Sequence, residues 1–425
     1  MTSNDTFIAS SDALLQDVCA RHIARARRSA VKFRRRLKTA INVGDQHRYR
    51  GLMIQMMRSF DCKLAALVVA NRRAKPTHRK TDAFLIAKAK DLNLWGCDRE
   101  PVRAVAKRKV TGGHRLLMAF GLSNCAKQLL VKWVLEPWIR PRLLPCQHVL
   151  SGGRDAAVTA CKHTIEKGGH KWVTEIDIKN CFGSISLEWL KSKLPIPGDV
   201  IEAVVASAHL NLSATSSIAC ALLTKNRDGI PQGSAVSPLI AEYVVSCVLR
   251  EAPTGACYES YVDNVFCFAV DVSGILQHRQ SFELLFERHP AGSFSVRSTE
   301  PKRISAGFVA LGYLVSSGRA AVKVSVPVDK ISLMVRRVQR TLQSFELEET
   351  LARHQACQVI RSWCAAYLLC GRSETLAYFL CLHVAKYGSR NLPRGSMVYR
   401  GPPGGKSLAD YMMPKWPRFP KNMRI

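Results

Sequence analysis

Three short segments in a fixed order constrain this chain most. Lys171 to Asp177 alternates so that Val173, Glu175 and Asp177 share one face, the two-residue period of a strand. Residues 229 to 238 read Gly-Ile-Pro-Gln-Gly-Ser-Ala-Val-Ser-Pro. From Ser234 to Val248, Val236, Leu239, Ile240, Tyr243, Val244, Cys247 and Val248 recur at helical steps, so a glycine-punctuated turn leads into a buried helix. Tyr258 to Val270 reads as strand, turn, strand, with Tyr261-Val-Asp-Asn264 at the tip. Each piece alone occurs by chance in a chain of this length. Together they specify strands and helices alternating around one core, an α+β fold.

The charge balance names a class of partner. Lys and Arg number 63 against 32 Asp and Glu, a formal charge of +31. A field of that sign attracts phosphate backbones and raises encounter rates. A membrane surface would also attract it, but no apolar run approaches the ~18 residues of a spanning helix, so no membrane partner is expected. The start, Met-Thr-Ser-Asn-Asp, lacks a basic segment followed by an apolar core, and a cytoplasmic location is expected. The 15 cysteines contain no Cys-x-x-Cys, and Cys161 stands too close to His163 for half of a standard zinc site. Cys181, Cys247, Cys257 and Cys267 lie in apolar surroundings and read as reduced, buried thiols.

Four regions follow from the pattern. Residues 1–80 form a basic helical N-terminal extension: Arg21 through Lys38 carries no acidic residue, and 46 to 69 places Leu52, Met56, Phe60, Leu64 and Leu67 at three- and four-residue steps, giving two amphipathic helices. Beyond Asp17, four residues before Arg21, the run has no acidic partner at i±4, and it reads as an RNA-binding face rather than a solvated one. Residues 81–325 form the central region, with a Gly112-Gly113 turn flanked by Lys107, Arg108, Lys109 and Arg115 and a helix from Ser123 to Ile139. Residues 326–390 turn helical: Ile331, Met334, Val335, Val338, Leu342 and Phe345 form one stripe, Trp363 and Tyr367 lie on a second helix, and Ser373 caps a third running to Tyr387. Residues 391–425 read as a basic, Pro/Gly-rich tail. Gly405-Lys406-Ser407 is not a P-loop, because Arg400 stands where the earlier glycine is required.

The ordered triplet resembles motifs A, B and C of reverse transcriptases, and most closely those of the group II intron branch. Asp177-Ile-Lys-Asn-Cys-Phe182-Gly-Ser-Ile185 is similar to that branch's D-I-K-x-x-F-x-x-I, and Arg303-Ile-Ser with Phe308-Val-Ala-Leu311-Gly312-Tyr313 to its K-T-x-I … F-L-G-F region. Arg34 to Arg73 resembles the branch's basic N-terminal extension, and Leu135-Glu-Pro137 its fingers helix. The likeness covers roughly residues 25 to 390. It implies a right-hand polymerase fold with fingers, an antiparallel palm sheet and a helical thumb. The implied activity is RNA-directed DNA polymerisation, with an RNA template, a DNA primer or product and dNTPs as partners.

The resemblance also assigns roles. Asp177 and Asp263, with the Ile178 carbonyl, would bind two Mg²⁺ ions, for which Mn²⁺ can substitute; hard oxygen ligands suit that chemistry. Phe182 would be the steric gate against a ribose 2′-hydroxyl, with a core Phe as the plain alternative. Gln232 and Gly233 would approach the templating pair and incoming nucleotide, together with Tyr261 and Asn264. Lys109 and Arg115 match finger positions that grip the triphosphate. Lys302 would be the general acid for pyrophosphate departure, with a solvated surface Lys as the alternative. Phe308, Leu311, Gly312 and Tyr313 would form the primer grip, and the helices after 325 the thumb.

One departure stands out: Asn264 replaces the second acidic residue usual after the Tyr-x pair. Activity is expected to survive, because the first Asp is the direct metal ligand in the family's geometry. With no paired-cysteine endonuclease signature or DNA-binding module in the sequence, the chain resembles a stand-alone or defence-associated relative working on a dedicated structured noncoding RNA. A maturase-type RNA-binding scaffold, or untemplated or protein-primed synthesis, are the alternatives left open. Asp177, Asp263, Phe182 and Gln232 favour the enzyme over the scaffold, which would need none of them.

Overall fold

The structure, a computed structural model, describes residues 3–370 apart from 97–99, 110–111, 226–227, 254, 319–320 and 344–347. The Ser373 cap, the helix to Tyr387 and the 391–425 tail lie outside the described residues. The chain divides into two compact units, Met1–Arg303 and Ile304–Ile425.

The first unit opens with α1 (Ser3–Asn42). Its buried stripe is Cys19, Ile23, Ala26, Ala30, Leu37 and Ala40, spaced by threes, fours and a seven as a single helical face requires. The arginine-rich run is split between two uses. Arg25 Nε donates to Asp61 at 3.1 Å, and Arg34 lies 3.7 Å from Glu136 and over the Trp133 ring. Arg27, Arg28, Lys32, Arg35 and Arg36 instead line an open groove around the exposed Val31.

The single helix expected over 46–69 is two helices, α2 (Gln46–Arg58) and α3 (Phe60–Arg73). Ser59 makes the break: its backbone is extended, and its hydroxyl accepts the Cys62 N–H at 3.3 Å as the N-cap of α3. Asp61 follows in the first turn, where a negative charge complements the helix dipole. The apolar stripe continues across the break, so periodicity alone hides it. Helix α4 (Asp82–Asp91) follows, then the hairpin of β1 (Val102–Arg108) and β2 (His114–Ala119), which turns through Gly112 and Gly113 at φ +90° and +71°.

Helix α5 (Leu122–Ile139) is the pillar of this unit, with Leu129, Leu130, Val131, Val134, Leu135 and Ile139 buried. The buried Tyr49 of α2 donates its hydroxyl to the Val134 carbonyl at 2.6 Å. Gly121, the N-cap residue, has no capping side chain. Glu100 serves from outside the helix: its two carboxylate oxygens accept the Ser123 and Asn124 N–H groups at 3.2 and 2.8 Å.

Beyond α6 (Gly153–Gly168), the chain runs through β3 (Trp172–Lys179), short helices α7 (Cys181–Ser184), α8 (Leu187–Lys193) and α9 (Gly198–Val200), and β4 (Leu212–Ala214). Then come α10 (Ser217–Lys225), α11 (Ser237–Leu249), β5 (Cys257–Tyr261), β6 (Asn264–Ala269), α12 (Val272–Arg288), β7 (Ser295–Ser298) and β8 (Lys302–Arg303). Strand β4 extends the first hairpin in parallel with β1. The main sheet is antiparallel in the order β5-β6-β3-β7, with β8 on the N-terminal end of β3. Ile176, Ile178, Val265 and Cys267 of this sheet share a core with Leu239, Ile240, Val244 and Val248 of α11.

The second unit contains the antiparallel strands β9 (Phe308–Ala310), β10 (Tyr313–Ser317) and β11 (Val322–Ser325). Leu311 and Gly312 both take positive φ in the two-residue β9–β10 turn, as a type I′ hairpin requires. Helices α13 (Val328–Leu342) and α14 (Glu349–Ala365) pack through Met334, Val338, Ala356 and Ile360. Tyr313 stacks edge-on to Tyr367 at 5.3 Å and donates its hydroxyl to the Ala366 carbonyl. Phe345 lies outside the described residues. No described helix is long and apolar enough to cross a membrane, and no disulfide forms among the described residues.

The Glu100 cap has a measurable consequence. Glu100→Ala leaves two N–H groups at the start of α5 without their acceptor and is expected to lower unfolding free energy by about 1–2 kcal/mol in urea titration. An unchanged midpoint would remove Glu100 from the support of α5.

Candidate active site

The site is built where β3 meets the β5–β6 hairpin. Register pairs Asp177 with Asn264, and the Ile178 N–H donates to the Asp263 carbonyl at 3.0 Å. The two candidate carboxylates therefore lie close together at one end of the sheet's central strands, Asp177 on β3 and Asp263 in the turn that leads into β6. Tyr261 and Asn264 form the last pair of the hairpin, so Val262 and Asp263 are a two-residue turn. Val262 takes φ +55°, the positive value a primed turn demands at its first central position. For a β-branched residue this is a genuine outlier, of a kind that costs about 1–3 kcal/mol and persists only where its surroundings impose it.

A cavity of about 620 Å³ opens over the two carboxylates. It is lined by Asp177, Ile178, Phe182, Asp263, Gln232, Lys109 and Arg115, seven of the residues singled out from the sequence. Lys179, Asn180, Arg297 and His114 add to the polar wall. Burial pushes the Asp177 carboxyl above its ordinary range, and Lys109, Arg297 and Lys179 pull it back. Asp263 is raised by burial too, with Asp177 adding to it and its own backbone N–H, Asn264 and Arg115 opposing. Among the described residues neither carboxylate forms an ion pair within 4.0 Å. Two desolvated carboxylates without direct cationic partners are a donor set suited to a divalent cation, which would stabilise both anions together.

The number of donors fits as well. No group of three or more His, Cys, Asp or Glu side chains comes together as a metal site among the described residues. Two carboxylates and the Ile178 carbonyl remain, and a magnesium ion keeps waters and substrate phosphates for its other positions. Glu175, on the same face of β3 two residues before Asp177, is pushed up to about 7 by burial and by Asp177, with Lys302 opposing.

The glycine-rich turn is locked from behind. Gly233 has φ +113°, and a Cβ there would lie 2.4 Å from the Met118 carbonyl of β2, while the Gln232 carbonyl accepts the Met118 N–H at 2.8 Å. A Cβ on Gly229 would fall 2.3 Å from the Phe182 carbonyl, the acceptor of the Ile230 N–H. Both glycines are thus required by close passage of the chain's own backbone, and they fix Gln232 and Phe182 against the cavity. Phe182 is half-buried on α7, reached from β3 through Asn180 in the left-handed region at φ +50°.

Not every expected residue of this unit lines the cavity. Lys302 is exposed, does not line the cavity, and pairs with Val173, four residues from Asp177 and so about 13 Å along the strand. Tyr261 flanks the turn without lining the cavity. Phe308, Leu311, Gly312 and Tyr313 belong to the second unit. Arg297 escaped sequence reasoning: it faces Asp177 across the β3–β7 register, but β7 has only four residues, too few to show a period. Glu242, fully buried in α11, was also missed, read only as part of an apolar helix.

Asn264 Nδ2 donates to Asp263 Oδ1 at 2.9 Å. The amide therefore orients the neighbouring carboxylate, which an aspartate at 264 would repel. Asn264→Asp is expected to lower the melting temperature by several degrees in EDTA, and the deficit should shrink when millimolar Mg²⁺ is added, because a cation screens the new charge. Equal melting of the two proteins in EDTA would show that the amide bond contributes nothing.

Residues 123–291 match the family model for reverse transcriptase (RNA-dependent DNA polymerase). No curated protein matches the chain. The matched span runs from α5 past α12 and takes in Asp177, Phe182, Gln232, Gly233, Tyr261, Asp263 and Asn264. It implies the palm-and-fingers fold of a polymerase, and reverse transcriptases generally use divalent metal ions. The chain carries a reverse transcriptase domain, which makes it an RNA-directed DNA polymerase, a nucleotidyltransferase.

Proposed function

We propose that this polymerase extends a primer 3′-hydroxyl with dNTPs in the cavity between β3, the β5–β6 hairpin and the glycine-rich turn. The observation that carries the reading is the juxtaposition of Asp177, on β3, with Asp263, in the adjoining β5–β6 turn, both raised by burial and neither in an ion pair among the described residues. With the Ile178 carbonyl they would hold two Mg²⁺ ions, or Mn²⁺ in their place, which when bound stabilise the attacking and leaving oxygens of an in-line displacement.

The rest of the wall divides the remaining work. Lys109, Arg115, Lys179 and Arg297 line the cavity with the carboxylates and would bind the triphosphate, a polyanion that needs several positive groups. Lys109 lines the cavity and Lys302 does not, so Lys109 is the better-placed proton donor to departing pyrophosphate. Phe182 would fill the space of a ribose 2′-hydroxyl. Gln232, held by its carbonyl to Met118, would border the templating pair, with Gly233 giving the turn its close approach to β2. Asn264 would keep Asp263 in its ligating rotamer, and Tyr261 would pack beside the turn. In the second unit, the β9–β10 hairpin would serve as primer grip and α13 and α14 as thumb.

The template would be a dedicated structured RNA, for which the open basic groove of α1 provides a phosphate-binding face. Arg27, Arg28, Lys32, Arg35 and Arg36 are available to it, since the helix turns its apolar stripe inward.

Asp263→Ala tests the assignment. The purified variant is expected to melt near wild type and to lose Mg²⁺-dependent dNTP incorporation on a primed RNA template by at least about 10³-fold, the scale of removing a principal electrostatic group. Extension at the wild-type rate would contradict the metal assignment.

A further inference from the structure

We infer that Glu242 is a positioning residue of the polymerase site, the clamp that holds the Val262–Asp263 turn where Asp263 can act. Its side chain is fully buried in α11, and both carboxylate oxygens are committed to backbone donors. Oε2 accepts the Val262 N–H at 2.8 Å, and Oε1 accepts the Val149 N–H at 3.3 Å.

Three features converge on this role. Val262 is the residue held at φ +55°, immediately before Asp263, so the Glu242 bond falls on the strained position of the turn. A glycine there would adopt that conformation without help; a valine needs an external anchor. The second oxygen reaches the loop before α6, which is itself fastened to the same hairpin. The buried Gln147 donates Nε2 to the Glu242 carbonyl at 2.9 Å, and the Ser260 N–H donates to the Cys146 carbonyl at 2.8 Å. One carboxylate thus joins α11, the 146–149 loop and the metal-binding turn. Helix α11 also begins at the glycine-rich turn, where Gln128 Oε1 accepts the Ala235 N–H at 3.1 Å. The nucleotide-facing turn at one end of α11 and the carboxylate-bearing turn beside its middle are therefore referred to the same rigid element.

A carboxyl group buried only to support a fold would be an expensive choice, since an apolar residue of similar size packs as well. An apolar residue there would leave the Val262 and Val149 N–H groups without the acceptors they now have. A glutamine in its place keeps the volume but turns one of the two acceptors into a donor, so one N–H must lose its partner.

This inference rests on the reading of Asp263 as a metal ligand, and its test separates the two. Glu242→Gln in the full chain is expected to melt within a few degrees of wild type while requiring about tenfold or more Mg²⁺ for half-maximal primer extension, with kcat reduced as well; partners that orient ligands act on this scale. Glu242→Asp, one methylene too short to reach both donors, is expected to shift the Mg²⁺ dependence in the same direction. Wild-type Mg²⁺ half-saturation and kcat in both variants would overturn the inference. So would loss of folding in both, which would assign Glu242 to stability alone. If Asp263→Ala is inactive while the Glu242 variants behave as wild type, only the clamp fails. If Asp263→Ala is active, the site itself has been misread.

Discussion

The pairing of β3 with β6 is the constraint on which the rest of the site depends. One backbone bond, Ile178 N–H to the Asp263 carbonyl, sets two carboxylates side by side at the end of the central strands, where burial raises both. In a partly desolvated setting like charges repel far more strongly than in water. Without a cation this arrangement works against stability, and it persists because the strands around it are anchored elsewhere. The cost is local, and under the proposed reading a bound cation would offset it.

Rigid supports surround that cluster. The glycine-rich turn is pinned to β2 by Gly233 and to α7 by Gly229, positions where even one additional carbon would collide with backbone. The Val262 turn is held from beneath by Glu242 and from the side by Asn264. Cations from three different elements, the β1–β2 hairpin, β3 and β7, line the cavity with the carboxylates. The proposed centre, holding a polyanion and divalent cations at once, would need both signs of charge held in place together. Short strands and tight turns achieve this with little freedom to adjust.

Much of this was legible in the sequence because the informative residues sit on elements long enough to show a period or in turns with characteristic chemistry. The strand ending near Asp177, the helix after Gly233 and the hairpin tipped by Val262 and Asp263 all carried such signals. The Ser59 break did not, because a single capping serine interrupts the chain without interrupting the apolar stripe. Arg297 was hidden for the opposite reason, lying on a strand too short to declare itself. Glu242 and Glu100 act on backbone N–H groups 20 or more residues away, contacts that only tertiary structure creates. Lys302 illustrates the reverse: a motif position in the sequence that the fold places on an exposed edge, away from the cavity.

Direct cation binding tests the central claim, that Asp177 and Asp263 form one divalent-metal centre that is completed by nucleotide. Mn²⁺ can be titrated into the protein with and without dNTP while the free-ion electron paramagnetic resonance signal is followed. Wild-type protein is expected to take up Mn²⁺ more tightly when dNTP is present, and Asp177→Asn to lose that uptake while remaining folded. Uptake by Asp177→Asn indistinguishable from wild type would contradict the placement of the metal between these two strands.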